Sequence, residues 1–130
     1  MATLFVLFAS NLASASAYHD CTAPLVLPLN VSPPEPELVF QLTLSDHDQP
    51  SPFVGQGTAF NGAVANDMIW RGFWFKRQGE LHMSGLVEVD GQKEEWQASG
   101  MSVEDVFMIL TIDRGDGIPL MVRCLPKEHV

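Results

Sequence analysis

The chain has 130 residues, of which 46% are hydrophobic, so its length suits one domain and its composition argues against disorder. Its formal net charge is −9, and no lysine or arginine precedes Arg71. Nucleic acids and anionic membrane surfaces are bound through clustered cations, so this charge excludes both as expected partners and favours a cationic protein. The simpler role of the acidity is to keep the protein in solution.

The first seventeen residues have the pattern of a signal peptide. An apolar run at residues 3–9 gives way to small residues and ends in Ala-Ser-Ala at Ala17. Cleavage there leaves a single domain of residues 18–130. The basic residue that usually precedes such a run is missing, and the alternative is that residues 3–12 form a buried strand or helix of the mature fold. The run is too short for a membrane span.

The two cysteines, Cys21 and Cys124, lie near opposite ends of the predicted domain. Disulfides persist in oxidising compartments, so the pair and the signal segment together predict a disulfide and a periplasmic or extracellular location. Such a bridge closes a loop of about 100 residues, which is worth up to roughly 4–5 kcal/mol in the chain-entropy model. The alternative is a pair of free, buried thiols.

Eight segments have the alternation or the β-rich composition of strands. In chain order they are residues 24–30, 37–45, 53–60, 68–76, 80–89, 92–98, 106–112 and 118–125. Pro28 marks the first as an edge strand, and residues 37–45 alternate most clearly. Gln78-Gly79 and Asp90-Gly91 are typical of tight turns, the second of a type I′ hairpin.

These segments predict a mainly β, single-domain antiparallel fold of about eight strands, either a β-sandwich or an up-and-down barrel. One stretch is ambiguous. Ser102 followed by Glu104 and Asp105 resembles a helix N-terminus, which makes a short helical turn near residues 102–107 an option. The β-rich run that follows favours a turn leading into a strand.

The segment 68–76 is the most aromatic, and alternation divides it into two faces. One face carries Trp70 and Trp74, and the other carries Arg71 and Phe73. Both faces are bulky, so the strand is either buried on both sides or uses one side for binding. Core packing is the simpler interpretation. The candidate binding residues are Trp70, Arg71, Phe73, Trp74 and, on the return strand, Trp96.

Catalytic and metal-binding motifs are weak. The chain has no Gly-x-Ser-x-Gly elbow, and its cysteines are better explained by a disulfide than by a nucleophile. No two histidines have the spacing His-x-His or His-x₃-His. The sequence therefore predicts a protein without enzyme activity, cofactor or metal site.

Three hypotheses follow for the function. The leading one is an exported interaction module that binds a protein partner through the aromatic strand, in the manner of an inhibitor or accessory factor for a cationic secreted protein. The first alternative is a barrel-type carrier of a small apolar ligand, with Trp70, Trp74 and Trp96 lining its interior. The second alternative is a periplasmic metal-binding protein that uses His19, His47 and neighbouring aspartates.

Overall fold

Eight antiparallel strands close into an up-and-down barrel in the computed structural model, which describes residues 16–28, 30–46 and 50–127. The strands are β1 Ser16–Ala23, β2 Leu38–Ser45, β3 Ser51–Asn61, β4 Val64–Arg77, β5 Glu80–Val89, β6 Gln92–Val103, β7 Phe107–Asp113 and β8 Leu120–Lys127. Each strand pairs with the next along the chain, and β1 pairs with β8. Of the two predicted architectures, the barrel is confirmed. Most of the predicted signal segment, residues 1–15, lies outside the described residues.

The first strand lies upstream of the predicted edge strand at residues 24–30. That prediction was wrong, because the described part of this stretch is an irregular connection between β1 and β2. Pro24 and Pro28 have no N–H to donate to a strand ladder. Leu25 instead donates its N–H to the carbonyl of Met121, at 2.9 Å, which anchors the connection to β8.

The helical turn considered near residues 102–107 is absent, and a tight hairpin takes its place. Glu104 and Asp105 both have positive φ angles, 51° and 57°. The N–H of Val106 donates to the carbonyl of Val103 at 2.9 Å and closes the turn. The pairing of β6 with β7 across this hairpin outweighs the local helix-capping pattern. No helix occurs among the residues that the structure describes, and hence none that is long and apolar enough to cross a membrane.

The two tight turns predicted at Gln78-Gly79 and Asp90-Gly91 are confirmed. Gln78 and Gly79 have φ angles of 54° and 80°, and Asp90 and Gly91 have φ angles of 53° and 75°. Positive φ at both central residues defines the type I′ hairpin, whose twist matches that of the flanking strands. Residues Glu80–Val89 and Gln92–Val103 therefore pair in register from the turn onwards.

The middle of the barrel is filled by aromatic side chains packed around Trp70, which is fully buried. The rings of Phe53, Trp96 and Phe40 meet the indole edge-on, with centroids at 4.9, 5.9 and 6.4 Å. The indole N–H of Trp70 donates to the carbonyl of Gly85 at 3.2 Å. Edge-to-face pairs of this kind add to the free energy gained by burying the rings, so this layer is a rigid core.

Glycines allow two strands to approach closely at one corner of the barrel. Gly72 of β4 and Gly85 of β5 lie opposite each other in the ladder. A Cβ atom on Gly72 would run into the carbonyl oxygen of Ser84, and one on Gly85 into that of Arg71. Glycine is therefore required where the sheet bends to close the barrel.

The predicted disulfide is confirmed and lies across the seam between the first and last strands. Cys21 of β1 faces Cys124 of β8 in the ladder, and their Cα atoms are 4.1 Å apart. The bridge links residues 103 positions apart in the sequence, and both side chains are buried. It therefore closes the barrel covalently at the one place where hydrogen bonds join the two ends of the sheet.

Candidate functional site

The two ends of the barrel differ, and one of them is closed. At this end Arg114, from the connection between β7 and β8, forms an ion pair with Glu37 at 2.9 Å. The indole N–H of Trp96 donates to the carboxylate of Glu94 at 2.7 Å. Leu38 and Trp96 are buried behind these polar groups, and the pocket that remains at this end is smaller, at about 260 Å³.

The opposite end opens into a cavity of about 440 Å³, which we call the cup. The cup is formed by inward-facing residues near the ends of the strands. Its floor is apolar and includes Leu44, Trp74, Leu81 and Met108. Its polar lining includes His19, Lys76, Ser102, Asp46 and Asp105.

Two residues shape the floor of the cup. One is a tryptophan that is held in place, and the other is a glycine that leaves space unfilled. Trp74 is mostly buried, and its indole N–H donates to the carbonyl of Ser45 at 3.0 Å, which fixes the ring. Gly100 of β6 has no side chain where a Cβ atom would lie 3.1 Å from the sulfur of Met108. A larger residue at position 100 would thus occupy part of the space that the cup provides.

His19 is the unusual group in the wall of the cup. Alternation along β1 turns it inward with Cys21, and its Nδ1 atom is buried without a hydrogen-bond partner among the described residues. Burial lowers the pKa of His19 below its ordinary value of 6.5, Asp20 acts in the opposite direction, and Lys76 lowers the pKa further. His19 is therefore a neutral imidazole at physiological pH, and within the described residues its Nδ1 atom lies in the wall of the cup without a hydrogen-bond partner.

Lys76 provides a positive charge in the lining of the same cup. It follows Trp74 by two residues and so shares its inward face of β4. None of the ion pairs within the described part of the chain includes Lys76, and its side chain is exposed. The cup therefore combines an apolar floor with one imidazole, one ammonium group and the carboxylates of Asp46 and Asp105.

The structure separates the predicted site residues between the inside and the outside of the barrel. Trp70, Trp74 and Trp96 point inward, whereas Arg71 and Phe73 lie on the outer wall. Trp74 alone among the three tryptophans lines the cup, since Trp70 occupies the central core and Trp96 lies at the closed end. The predicted division of β4 into two faces is confirmed, and the binding role of these residues stays a prediction.

The outer wall carries an exposed aromatic surface on β4 and β5. Phe73 is 59% exposed and Leu86 58% exposed, and Phe75 stacks on His82 with ring centroids 5.1 Å apart. We call Phe73, Phe75 and Leu86 the outer aromatic face. Large apolar side chains that remain in contact with water are frequent anchors in protein interfaces.

The metal hypothesis finds no further support in the described residues. Within residues 16–28, 30–46 and 50–127, no three side chains of histidine, cysteine, aspartate or glutamate are grouped so that they could hold a metal ion. His47, which that hypothesis also used, lies outside the described residues, as does His129.

The sequence analysis missed His19 and Lys76 as members of one site. Counting alternate residues outward from Cys21 and from Trp74 identifies both as inward-facing, but the sequence does not reveal that they share one end of a barrel. Comparisons with protein-family models, with curated proteins and with solved structures found no match for this chain. The geometry of the cup is therefore the basis for a proposed function.

Proposed function

We propose that the protein is a non-enzymatic carrier that holds one small, partly apolar ligand in the cup. The observation that carries this proposal is the contrast along the barrel axis. The middle is filled by aromatic rings and one end keeps only a pocket of about 260 Å³, while the other end has a cavity of about 440 Å³ with a buried apolar floor.

The size and lining of the cup support this function. Small-molecule sites typically have volumes of roughly 300–1,000 Å³ and combine apolar walls with a few polar groups that orient the ligand. Eight-stranded barrels are just wide enough to hold one small ligand. The proposal refines the predicted carrier: the ligand contacts Trp74 at one end of the barrel and does not lie between all three tryptophans.

Export to an oxidising compartment is part of the proposal. The disulfide between Cys21 and Cys124 supports it, because such bonds persist outside the reducing cytoplasm. The signal-peptide pattern of residues 1–17 supports it independently. Secretion of the full chain, followed by N-terminal sequencing of the mature protein, tests this part.

Blocking the cup from its lip tests the carrier function. Ser102 lines the cup and is exposed, so Ser102→Phe places a ring in the opening without disturbing the core. The neighbouring Met101 is exposed on the outer wall, which makes Met101→Phe the matched control. Exposed substitutions of this kind usually change the free energy of unfolding by no more than about 0.5 kcal/mol.

The neutral apolar dye N-phenyl-1-naphthylamine is the probe for this test. We expect it to bind the wild-type protein and the Met101→Phe variant at one site with increased fluorescence, and to lose most of its affinity for Ser102→Phe. No saturable binding to the wild-type protein, or equal binding to both variants, would contradict the carrier function.

A protein-interaction module is the second candidate, and the outer aromatic face favours it. Phe73 projects into solvent from the centre of the sheet, and the net charge of −9 would attract a cationic partner. Capture of a secreted cationic protein should weaken as salt rises and should be lost in Phe73→Ser. Capture that ignores both changes would count against this role.

A further inference from the structure

The polar groups in the cup indicate which class of small molecule it accepts. We infer that the ligand is an amphipathic monocarboxylate, whose anionic head group is bound by Lys76 and His19 and whose apolar body lies on the floor of the cup. This inference rests on the proposed carrier function and adds the charge of the ligand to it.

The backbone of Lys76 lies level with Leu81 in the floor of the cup, and its side chain is exposed. In the β-sheet it pairs with Leu81, which in turn pairs with Gly100, and both of these residues line the cup. A lysine ammonium offers three hydrogen-bond donors and no acceptor. Because no described carboxylate forms an ion pair with Lys76, these donors are available to an anion in the cup.

His19, on β1, adds a second polar group to the lining of the cup, to which β4 contributes Lys76. It pairs with Leu42 of β2 and with Pro126 of β8, so it lies within the hydrogen-bonded ladder and not at the end of β1. Its buried Nδ1 atom has no partner among the described residues, and a neutral imidazole donates through one nitrogen and accepts through the other. Rotation of the imidazole ring would turn this nitrogen towards the cup, where a carboxylate oxygen is a suitable acceptor for its N–H.

The acidic residues of the cup lie nearer its mouth. Asp46 follows the end of β2, and Asp105 lies in the hairpin between β6 and β7. Asp20, on the outward face of β1, lies 3.8 Å from the ammonium of Lys127. The net negative charge is spread over the protein. At physiological ionic strength, salt largely screens exposed charges that lie farther from the ligand than the Debye length of about 8 Å. Contacts inside the cup are screened less, so they decide which head group is preferred.

Three ten-carbon ligands that differ in their head group test the inference. Decanoate, 1-decanol and decylamine each compete with N-phenyl-1-naphthylamine for the cup, at concentrations below those at which they form micelles. We expect the dissociation constant of decanoate to be roughly five- to tenfold lower than that of decanol. This factor lies between the contribution of an exposed ion pair to affinity and that of a charge-assisted hydrogen bond. Decylamine should bind more weakly than decanol.

Variants of Lys76 and His19 test whether these two residues cause the preference for decanoate. Lys76→Met keeps the apolar stem of the side chain, and it should abolish most of the advantage of decanoate over decanol. Lys93→Met removes an exposed cation of the outer wall and serves as the control, with the preference retained. His19→Leu should weaken decanoate binding, and His19→Gln, which keeps a donor, should restore part of it.

The outcomes separate this inference from the carrier function. Equal binding of decanoate and decanol, tighter binding of decylamine, or an unchanged preference in Lys76→Met would each overturn the inference while the dye still binds in the cup. Failure of the dye itself to bind the wild-type protein would overturn the carrier function and the inference with it.

Discussion

Replacing Cys21 and Cys124 by alanine tests how strongly the cross-link between the two ends of the sheet stabilises the barrel. The bridge spans 103 positions of the sequence. For a loop of that length the chain-entropy model gives about 4.7 kcal/mol, because the cross-link removes conformations from the unfolded chain. We expect the double variant to lose up to that amount of unfolding free energy and to melt roughly 15–20 °C lower.

Single variants distinguish the cross-link from the packing of the sulfur atoms. Cys21→Ala and Cys124→Ala each break the bridge completely, so the double variant loses in addition only the contacts of the second side chain. The losses should therefore be strongly non-additive, with a coupling free energy close to that of the cross-link itself. Urea unfolding, measured under reducing conditions for the single variants, gives each value from the midpoint and the m-value.

The m-value provides an independent check on this reasoning. Without the bridge the unfolded chain is more expanded and exposes more surface, so the m-value should increase in all three variants. A loss below about 1 kcal/mol, with no change in the m-value, would refute the loop-closure argument. The hydrogen-bonded pairs between β1 and β8 would then suffice to close the barrel.

Three further predictions concern the close approach of β4 and β5 at Gly72, the core around Trp70 and the imidazole of His19. Gly72→Ala, which forces a methyl group into backbone atoms, should cost about 3 kcal/mol or more in urea unfolding, whereas Gly55→Ala, whose nearest atom lies on a ring 3.2 Å away, should cost less. Trp70→Ala should cost about 3–5 kcal/mol, against about 0.5 kcal/mol or less for the exposed Phe73→Ala. Because the pKa of His19 is lowered in the folded state, the unfolded chain takes up a proton first as the pH falls below 6.5. Stability should thus decrease with acidification until the folded-state pKa is passed, and His19→Gln should lessen this decrease in melting curves between pH 7 and 5.

Most of the strands follow from local patterns in the sequence, and their closure into a barrel does not. Alternation marks residues 38–45, and Asp90-Gly91 sets the register of β5 and β6 by its turn geometry. The choice between a sandwich and a barrel depends on whether β1 pairs with β8, a contact between opposite ends of the chain. Local propensity carries no information on such a pairing, although the positions of Cys21 and Cys124 were consistent with it.

The misplaced first strand and the helical option near residues 102–107 have a common physical cause, since pairing with neighbouring strands outweighed a local signal. Tyr18 to Thr22 lacks the alternation of apolar and polar residues that marks a strand, yet it pairs on both sides, with β2 and with β8. Ser102 and the acids after it match a helix cap, yet β6 and β7 pair through the hairpin that they form. The same limit applies to the site, because the position of Trp74 in the cup and of Trp70 in the core depends on how the strands are staggered.

The distribution of polar residues inside the barrel argues that the cup is more than a packing defect. Along the part of β1 that the proposed cleavage leaves, the inward row contains Cys21 and Ala23, which are small and apolar, and a single imidazole at His19. A polar group in a partly buried wall costs free energy unless it finds a hydrogen-bond partner, and the described residues offer none to Nδ1. An apolar side chain at position 19 would avoid that cost and fill the cavity, as the aromatic layer does around Trp70. The presence of an imidazole and of Lys76 at the one open end is therefore best explained by a ligand that completes their interactions.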